Sequence, residues 1–194
     1  MQLALFDFDG TITRKDSWMD FLRFAVGPFK FILGAVLLSP VMTGYALGLI
    51  SNTRLKEIGT KFFLNKWDFS KYRQIAFNYS RSRLPQLIRE KALEKISWHK
   101  SRGHHVVVVT ASFQDWLLDW CNNHQLDLIS NVLETKNGYL TGRLKNENCH
   151  GAGKVKCITQ QLDLSKYSYI YAYGDSSGDR AMFELAHENF YRIF

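Results

Sequence analysis

Residues 3–13 read LALFDFDGTIT, and this stretch decides the fold. A short apolar run stops abruptly at two aspartates and a glycine, which is typical of a buried strand that ends in a loop. The runs 105–112 (HVVVVTAS) and 169–179 (YIYAYGDSSGD) repeat the pattern. Continuous apolar strands separated by helical stretches predict an α/β fold with a doubly wound, Rossmann-like parallel sheet.

The chain between the first two strands is too long for a single crossover. Residues 16–84 therefore predict an inserted α-helical cap, and residues 1–15 and 85–194 an α/β core. In the cap we expect helices over 18–26, 29–38, 41–50, 53–63 and 69–79. In the core we expect helices over 84–101, 112–123 and 153–162, and a β-hairpin over 131–144 appended to the sheet.

Composition places the chain among reduced, globular proteins. The three cysteines, Cys121, Cys149 and Cys157, form no C-x-x-C pair, which argues against a disulfide scaffold and a cysteine zinc site. We interpret Cys149 and the adjacent His150 as loop and core residues. No basic region precedes the apolar start, so a secretory signal is not predicted and the expected location is cytoplasmic.

Positive charge is concentrated in one part of the chain. The net charge is +7, but residues 54–102 hold 13 Lys/Arg and four acids and so carry +9. Such a segment suits phosphorylated substrates, nucleic acid or an anionic membrane, or is simply a solvated helical face. No nucleic-acid-binding motif accompanies it, so no nucleic-acid partner is predicted.

Polar side chains follow each of the three predicted strands. They are Asp7 and Asp9, Thr110 and Ser112, and Asp175 and Asp179. Each pair alone is an ordinary turn or cap. In a parallel sheet, however, the carboxyl ends of the strands meet at one edge, where four carboxylates would repel one another. Carboxylates without nearby Cys or His favour Mg²⁺ as the cation between them.

The same residues resemble a known family. Residues 7–13 are similar to the D-x-D-G-T signature of the haloacid dehalogenase superfamily of phosphatases. Residues 107–110 (VVVT) resemble its second signature, Lys154 fits the basic residue that opens a helix, and residues 174–179 resemble the acidic fourth signature. The position and size of the insert resemble the phosphoserine-phosphatase-like subgroup, whose helical cap follows the first signature.

The resemblance implies a phosphatase that works through a phosphoaspartate. It makes Asp7 the nucleophile and Asp9 the acid that protonates the leaving alkoxide and then the base that activates water. Thr110 and Lys154 would donate to the phosphoryl oxygens as charge spreads over them. The glycine-rich stretch before Lys154 does not complete a P-loop, because Asn148 stands where its first glycine belongs.

The resemblance also implies the metal site. Mg²⁺ would be held by Asp7, by the backbone carbonyl of Asp9 and by Asp175. Asp179 would hold the water shell of the metal or position Lys154. The cation would offset the repulsion between the nucleophilic carboxylate and the phosphate.

Three further positions are predicted to contact substrate. Asp16 stands nine residues after Asp7, where phosphoserine phosphatases carry an acid that meets the substrate amine; from the residues alone it is equally an N-cap before Trp18. Ala111 and Ser112 occupy the place of a glycine pair that lies close to substrate in those enzymes. This departure leaves phosphoserine itself unassigned as the substrate.

A run of 23 residues without charge, 31–53, has the length of a membrane span. A single span would put Asp7 and Thr110 on opposite sides of a membrane, although their strands belong to one sheet. Pro40 also interrupts the run, so we expect a helical hairpin that turns near residues 39–40. We expect this hairpin to pack as the core of the cap; the second hypothesis is peripheral contact with an anionic membrane on its inner face. The basic residues beside it are Lys30, Arg54, Lys56 and Lys61.

The substrate stays open between two classes. One is a small soluble phosphomonoester such as phosphoserine, and the other is a phospholipid head-group phosphate like that of phosphatidylglycerophosphate. A non-catalytic, receiver-like phosphoacceptor module is a remote alternative, because receivers are shorter and lack both a cap and an equivalent of Asp9.

Overall fold

The computed structural model describes residues 1–194, which form seven strands in two sheets. The strands are β1 (Gln2–Phe6), β2 (His105–Phe113), β3 (Asp127–Asn131), β4 (Leu133–Lys136), β5 (Tyr139–Leu144), β6 (Tyr169–Gly174) and β7 (Glu188–Tyr191). Five of them build a parallel sheet in the order β3-β2-β1-β6-β7. The predicted fold class is therefore confirmed.

Nine helices connect and cover these strands. They are α1 (Ser17–Val26), α2 (Pro28–Leu37), α3 (Ser39–Ala46), α4 (Asn52–Leu64), α5 (Phe69–Ser82), α6 (Glu90–Ser101), α7 (Gln114–Asn123), α8 (Ala152–Gln161) and α9 (Arg180–Phe183). The first five follow β1 and precede α6, as the length of the insert predicts.

The central strand β1 shows why both faces of the sheet are covered. Ala4 and Phe6 belong to one hydrophobic cluster and Leu3 and Leu5 to another, and all four side chains are fully buried. Alternate residues of a strand point to opposite faces, so an uninterrupted apolar run requires protein on both sides.

Part of the cap shares its core with the sheet. Phe21 of α1 stacks on Trp116 of α7 with ring centroids 4.3 Å apart, and Tyr72 and Tyr79 of α5 are completely buried in the same cluster as Phe6. Helices α1 and α5 are thereby fixed to the core, whereas α2 packs on this cluster only through the half-buried Phe31 and α3 adds no residue to it. The bounds of the two predicted domains stay a prediction.

Several predicted boundaries are corrected. Strand β2 runs on to Phe113, so α7 begins at Gln114 rather than at residue 112. The stretch 84–101 is a short 3-10 turn followed by α6 from Glu90, because Pro85 and the extended residue Ile88 interrupt it. Strands β3 and β7 were not predicted, since neither has a continuous apolar run.

The hairpin formed by β4 and β5 exists, but it is not appended to the main sheet. The two strands form a separate antiparallel pair whose turn is Asn137-Gly138, both at positive φ. The hairpin packs instead on α4, where a Cβ on Gly142 would overlap the backbone of Lys61.

The uncharged run forms α2 and α3, which follow one another with a bend of 59° at Leu38. The chain does not reverse its direction there, so the predicted helical hairpin is wrong and the two helices form a bent pair. Neither helix alone has the length and apolar character of a membrane span, and only the bent pair satisfies both criteria together. The expectation that the run packs as a cap core is wrong for its outer surface: Leu37 is 60% exposed and Leu47 is 69% exposed. The large side chains of this exposed surface are Phe29, Ile32, Leu33, Val36, Leu37, Met42, Leu47 and Leu49.

Candidate active site

A tight turn after β1 brings the two motif aspartates to the edge of the sheet. The amide of Asp7 still donates to the Tyr173 carbonyl of β6 at 2.9 Å, so the nucleophile candidate sits at the end of paired backbone. Gly10 then adopts φ +85°, and a Cβ at this position would overlap the Asp175 carboxylate. Glycine is required here both by the backbone conformation and by the close approach of Asp175.

Lys154, in the first turn of α8, bridges two carboxylates. Its Nζ lies 2.6 Å from Oδ1 of Asp7 and 2.6 Å from Oδ1 of Asp179, and the side chain is 2% exposed. Burial by itself would lower the pKa of Lys154, but attraction to the two carboxylates raises it above its usual range. Lys154 therefore stays a cation and a donor at the site of the reaction.

The carboxylates of Asp7, Asp175 and Asp179 converge within 4.8 Å of one another. Burial raises the pKa of Asp7 to about 7 against the pull of Lys154, and burial also raises the pKa of Asp175. Crowded, desolvated carboxylates of this kind gain most from a divalent cation. The donors are all oxygens, so the residues present fit Mg²⁺.

Asp179 is less free than its two neighbours to bind a metal directly. Its Oδ1 accepts from Lys154, and its Oδ2 accepts from the amides of Asp175 and Ser176 at 3.2 and 3.0 Å. The role that this geometry favours is the positioning of Lys154 and of the loop that carries Asp175. Asp7 and Asp175 are then the residues that would ligate a metal directly.

The Asp9 carboxylate is held apart from this cluster. It accepts hydrogen bonds from the Ser17 amide at 2.6 Å and from the Ser112 hydroxyl at 2.5 Å. Ser112 is completely buried, so its side chain orients Asp9 rather than facing the cleft, which revises its predicted contact with substrate. The cap and β2 together fix the acid/base candidate.

Thr110 and Ala111 line a polar cleft of about 420 Å³ together with Asp7, Asp9 and Lys154. This segment of β2 departs from regular pairing with β3 between Val109 and Phe113. The carbonyl of Ala111 is consequently free of the sheet and accepts from Lys56 and Asn131 side chains. His150 also lines the cleft, a place that the sequence did not predict for it.

Lys56 is a site residue that sequence reasoning assigned elsewhere. It was placed beside a membrane, yet it is 5% exposed, and its Nζ lies 2.5 Å from the Ala111 carbonyl. Burial lowers the pKa of Lys56, while Asp16 and Asp9 oppose this shift. Only its position on the inner side of α4, set by packing of the cap, distinguishes it from the exposed lysines nearby.

Asp16 caps α1 and also lines the cleft, and its contact with substrate stays a prediction. Its carboxylate accepts from the Met19 amide at 2.8 Å and so caps α1. The same residue lines the polar cleft opposite Lys56. Desolvation in the cleft, followed by repulsion from Asp9, raises the pKa of Asp16 to about 6.

The arrangement defines a class of enzyme. Two aspartates two residues apart meet a buried lysine and an acidic loop at the carboxyl edge of the parallel sheet, as the sequence signatures of haloacid dehalogenase-like hydrolases predict. The model of that family matches residues 4–184, and the chain belongs to it. The predicted family is confirmed.

The individual proteins that this chain resembles share less than a third of its residues. Protein CicA of Caulobacter vibrioides is 29% identical over 194 residues, which is 99% of this chain and 86% of that protein. A Bordetella pertussis Tohama I protein of unknown function is similar in structure, with a TM-score of 0.83 and 23% identity over 97% of this chain and 88% of that one. A substrate-bound phosphoserine phosphatase has a TM-score of 0.72 and 21% identity over 98% of this chain and 85% of that one. The fold is thus that of the phosphoserine-phosphatase-like subgroup.

Proposed function

We propose that this protein is a Mg²⁺-dependent phosphatase that hydrolyses a phosphomonoester through a phosphoaspartate on Asp7. The observation that carries the proposal is the pairing of Asp7 with buried Lys154, beside an Asp9 carboxylate held separately by Ser17 and Ser112. Two aspartates in such different surroundings suit two different tasks, nucleophile and acid/base.

In the first step an oxygen of Asp7 attacks phosphorus as the ester oxygen departs. Asp9 donates a proton to that oxygen, so the alcohol leaves neutral. Lys154 and the Thr110 hydroxyl donate to phosphoryl oxygens, whose charge grows in the transition state. Mg²⁺, when bound by Asp7 and Asp175, supplies compensation for the negative charges of carboxylate and phosphate.

In the second step water cleaves the acyl phosphate. Asp9, now a carboxylate, takes a proton from this water and returns to its starting state, while Asp7 is released as a carboxylate. The hydrogen bonds from Ser17 and Ser112 keep Asp9 directed to the same place in both steps.

The test is turnover of p-nitrophenyl phosphate with and without Mg²⁺, joined to trapping of the intermediate. In Asp9→Asn the second step lacks its base, so a covalent phosphoryl group accumulates and mass spectrometry of the peptide around Asp7 detects it. The double variant Asp7→Asn with Asp9→Asn is the matched control and carries no phosphoryl group. Phosphate on any other residue would contradict the mechanism.

For the substrate, the exposed surface of α2 and α3 favours a phospholipid head-group phosphate over a soluble ester such as phosphoserine. A cap that only screens a small amino-acid phosphate from water has no need of an exposed apolar helical surface. Lys30 on α2 and Arg54 in the first turn of α4 are exposed and flank the uncharged run in the sequence, which suits an anionic membrane. We therefore propose peripheral contact of α2 and α3 with such a membrane.

A further inference from the structure

The cap contains a second cavity, distinct from the polar cleft in both position and chemistry. It has a volume of about 390 Å³ and lies among α1, α2, α3 and α4. Thirteen of its seventeen lining residues are hydrophobic, with Leu22, Phe31, Val41 and Leu55 representing the four helices. This volume lies within the range of small-molecule sites, whereas voids left by packing are seldom larger than a water molecule.

The apolar cavity adjoins the catalytic cleft. Asp16, Tyr45, Asn52 and Lys56 line both of them, so these four residues mark the junction. The apolar cavity therefore begins at residues that also bound the catalytic cleft, on the cap side of Asp7.

The two sides of α2 have different surroundings. Phe31, Ala35 and Leu38 are half-buried and line the cavity at helical spacing, whereas the neighbouring Val36 and Leu37 are exposed on the other side. The uncharged residues of α2 therefore form two surfaces, one that lines the cavity and one that is exposed on the outside of the cap.

We infer that the apolar cavity binds the hydrocarbon chain of an amphiphilic phosphomonoester whose phosphate is hydrolysed at Asp7. This inference rests on the proposed function and specifies its substrate class. The chain contributes binding energy remote from phosphorus, while Asp16 and Lys56 contact the polar segment between chain and phosphate. A free long-chain alkyl phosphate and a lipid drawn from a membrane share this chemistry.

A chain-length series tests the inference. For n-alkyl phosphates from ethyl to dodecyl, kept monomeric, we expect kcat/KM to rise by up to about fourfold per methylene buried and to level off once the cavity is full. A flat series with sustained hydrolysis of ethyl phosphate overturns the apolar subsite and leaves the phosphatase intact. No hydrolysis of any ester overturns the proposed function instead.

Two matched substitutions localise the effect. Ala35→Phe places a ring in the cavity, and Val36→Phe places the same ring on the exposed side of the same helix. We expect the dodecyl-to-ethyl ratio of kcat/KM to fall at least about tenfold in Ala35→Phe and to be retained in Val36→Phe. Circular dichroism checks folding, and Ala46→Phe, on the α3 side of the cavity, replaces Ala35→Phe if that variant does not fold. Equal ratios in the cavity variant and Val36→Phe overturn the assignment.

Binding gives a readout that does not depend on turnover. Dodecylphosphonate, which cannot be hydrolysed, is titrated calorimetrically against ethylphosphonate in Mg²⁺. Tighter binding of the dodecyl compound, lost in Ala35→Phe, supports the subsite, and equal affinity overturns it. Dodecyl phosphate is also supplied in phosphatidylglycerol vesicles. A kcat/KM above that of ethyl phosphate supports the subsite, whether the dodecyl phosphate is monomeric or in vesicles. If Leu37→Glu lowers kcat/KM for the vesicles only, the membrane is the source of the substrate.

Discussion

The catalytic cleft and the bent helix pair α2–α3 differ in how they treat side chains that are costly to leave unpaired. In the cleft, buried charges are matched by buried partners: Lys154 pairs with Asp7 and Asp179, and Asp9 accepts from Ser17 and Ser112. The bent helix pair has no charged side chain from Phe31 onward and leaves Leu33, Val36 and Leu37 more than half exposed. Hydrogen bonds hold the groups of the cleft in one geometry. The exposed surface of α2 and α3 contributes little to folding and is available for contact with another molecule.

This difference follows from the cost of desolvation. A buried charge without a partner is strongly destabilising, so the cleft has to be completed within the fold. An exposed leucine forgoes a stabilisation of only about 25 cal/mol for each Å² left in water. Substitutions in the cleft should therefore change the rate of hydrolysis, whereas substitutions on the exposed surface of α2 and α3 should change association with a membrane.

The largest effect is expected for Asp7→Asn. An amide is not a nucleophile towards phosphorus, so kcat should fall by about 10⁴-fold or more while the circular dichroism spectrum is retained. Steady-state hydrolysis of p-nitrophenyl phosphate measures the loss. Near wild-type turnover in Asp7→Asn would contradict the assignment of Asp7 as the nucleophile. The control is Asp163→Asn, because Asp163 is exposed and lies away from the cleft.

Removal of the metal should be nearly as severe. Excess EDTA is expected to abolish turnover and Mg²⁺ to restore it, whereas Ca²⁺ should be a poor substitute because it accepts more ligands and a looser geometry. Asp175→Asn should raise the Mg²⁺ concentration needed for half-maximal activity. Full activity in excess EDTA would refute the metal assignment.

An intermediate effect is expected for Lys56→Met, which keeps the length of the side chain and removes its charge. Loss of the contact with the Ala111 carbonyl and of the cation beside Asp16 should lower kcat/KM by about 10- to 100-fold and also lower the melting temperature. Lys61→Met, on the exposed side of the same helix, is the matched control. If Lys56→Met and Lys61→Met have the same kcat/KM and the same melting temperature, Lys56 does not contribute to the site.

The smallest effect on stability and on hydrolysis of small esters is expected for Leu37→Glu and Leu47→Glu. Both residues are exposed, so the free energy of unfolding should change by no more than about 0.5 kcal/mol. Co-sedimentation with anionic vesicles at low salt should nevertheless fall to background, because each glutamate brings a charge to an anionic, apolar interface. Wild-type protein that stays in the supernatant would refute the membrane contact while leaving the phosphatase chemistry in place.

The catalytic constellation was predictable because each strand carries its polar residues at its carboxyl end. Once β1, β2 and β6 pair as parallel neighbours, Asp7, Thr110 and Asp175 necessarily meet at one edge of the sheet. The spacing of Asp7 and Asp9 and the glycine at position 10 are likewise local, since the turn after β1 needs positive φ there. The helical nature of the insert followed from its length and apolar periodicity.

Other features depended on contacts between segments far apart in the chain. Lys56 meets Ala111 across 55 positions, and Ser112 meets Asp9 across 103, so no local pattern distinguishes these residues from an exposed lysine or an ordinary turn serine. The same holds for α2 and α3: their uncharged sequence is compatible with a core, a cavity wall or an exposed surface. Composition sets how apolar a helix is, but the burial of each of its sides depends on which neighbours the tertiary structure packs against it.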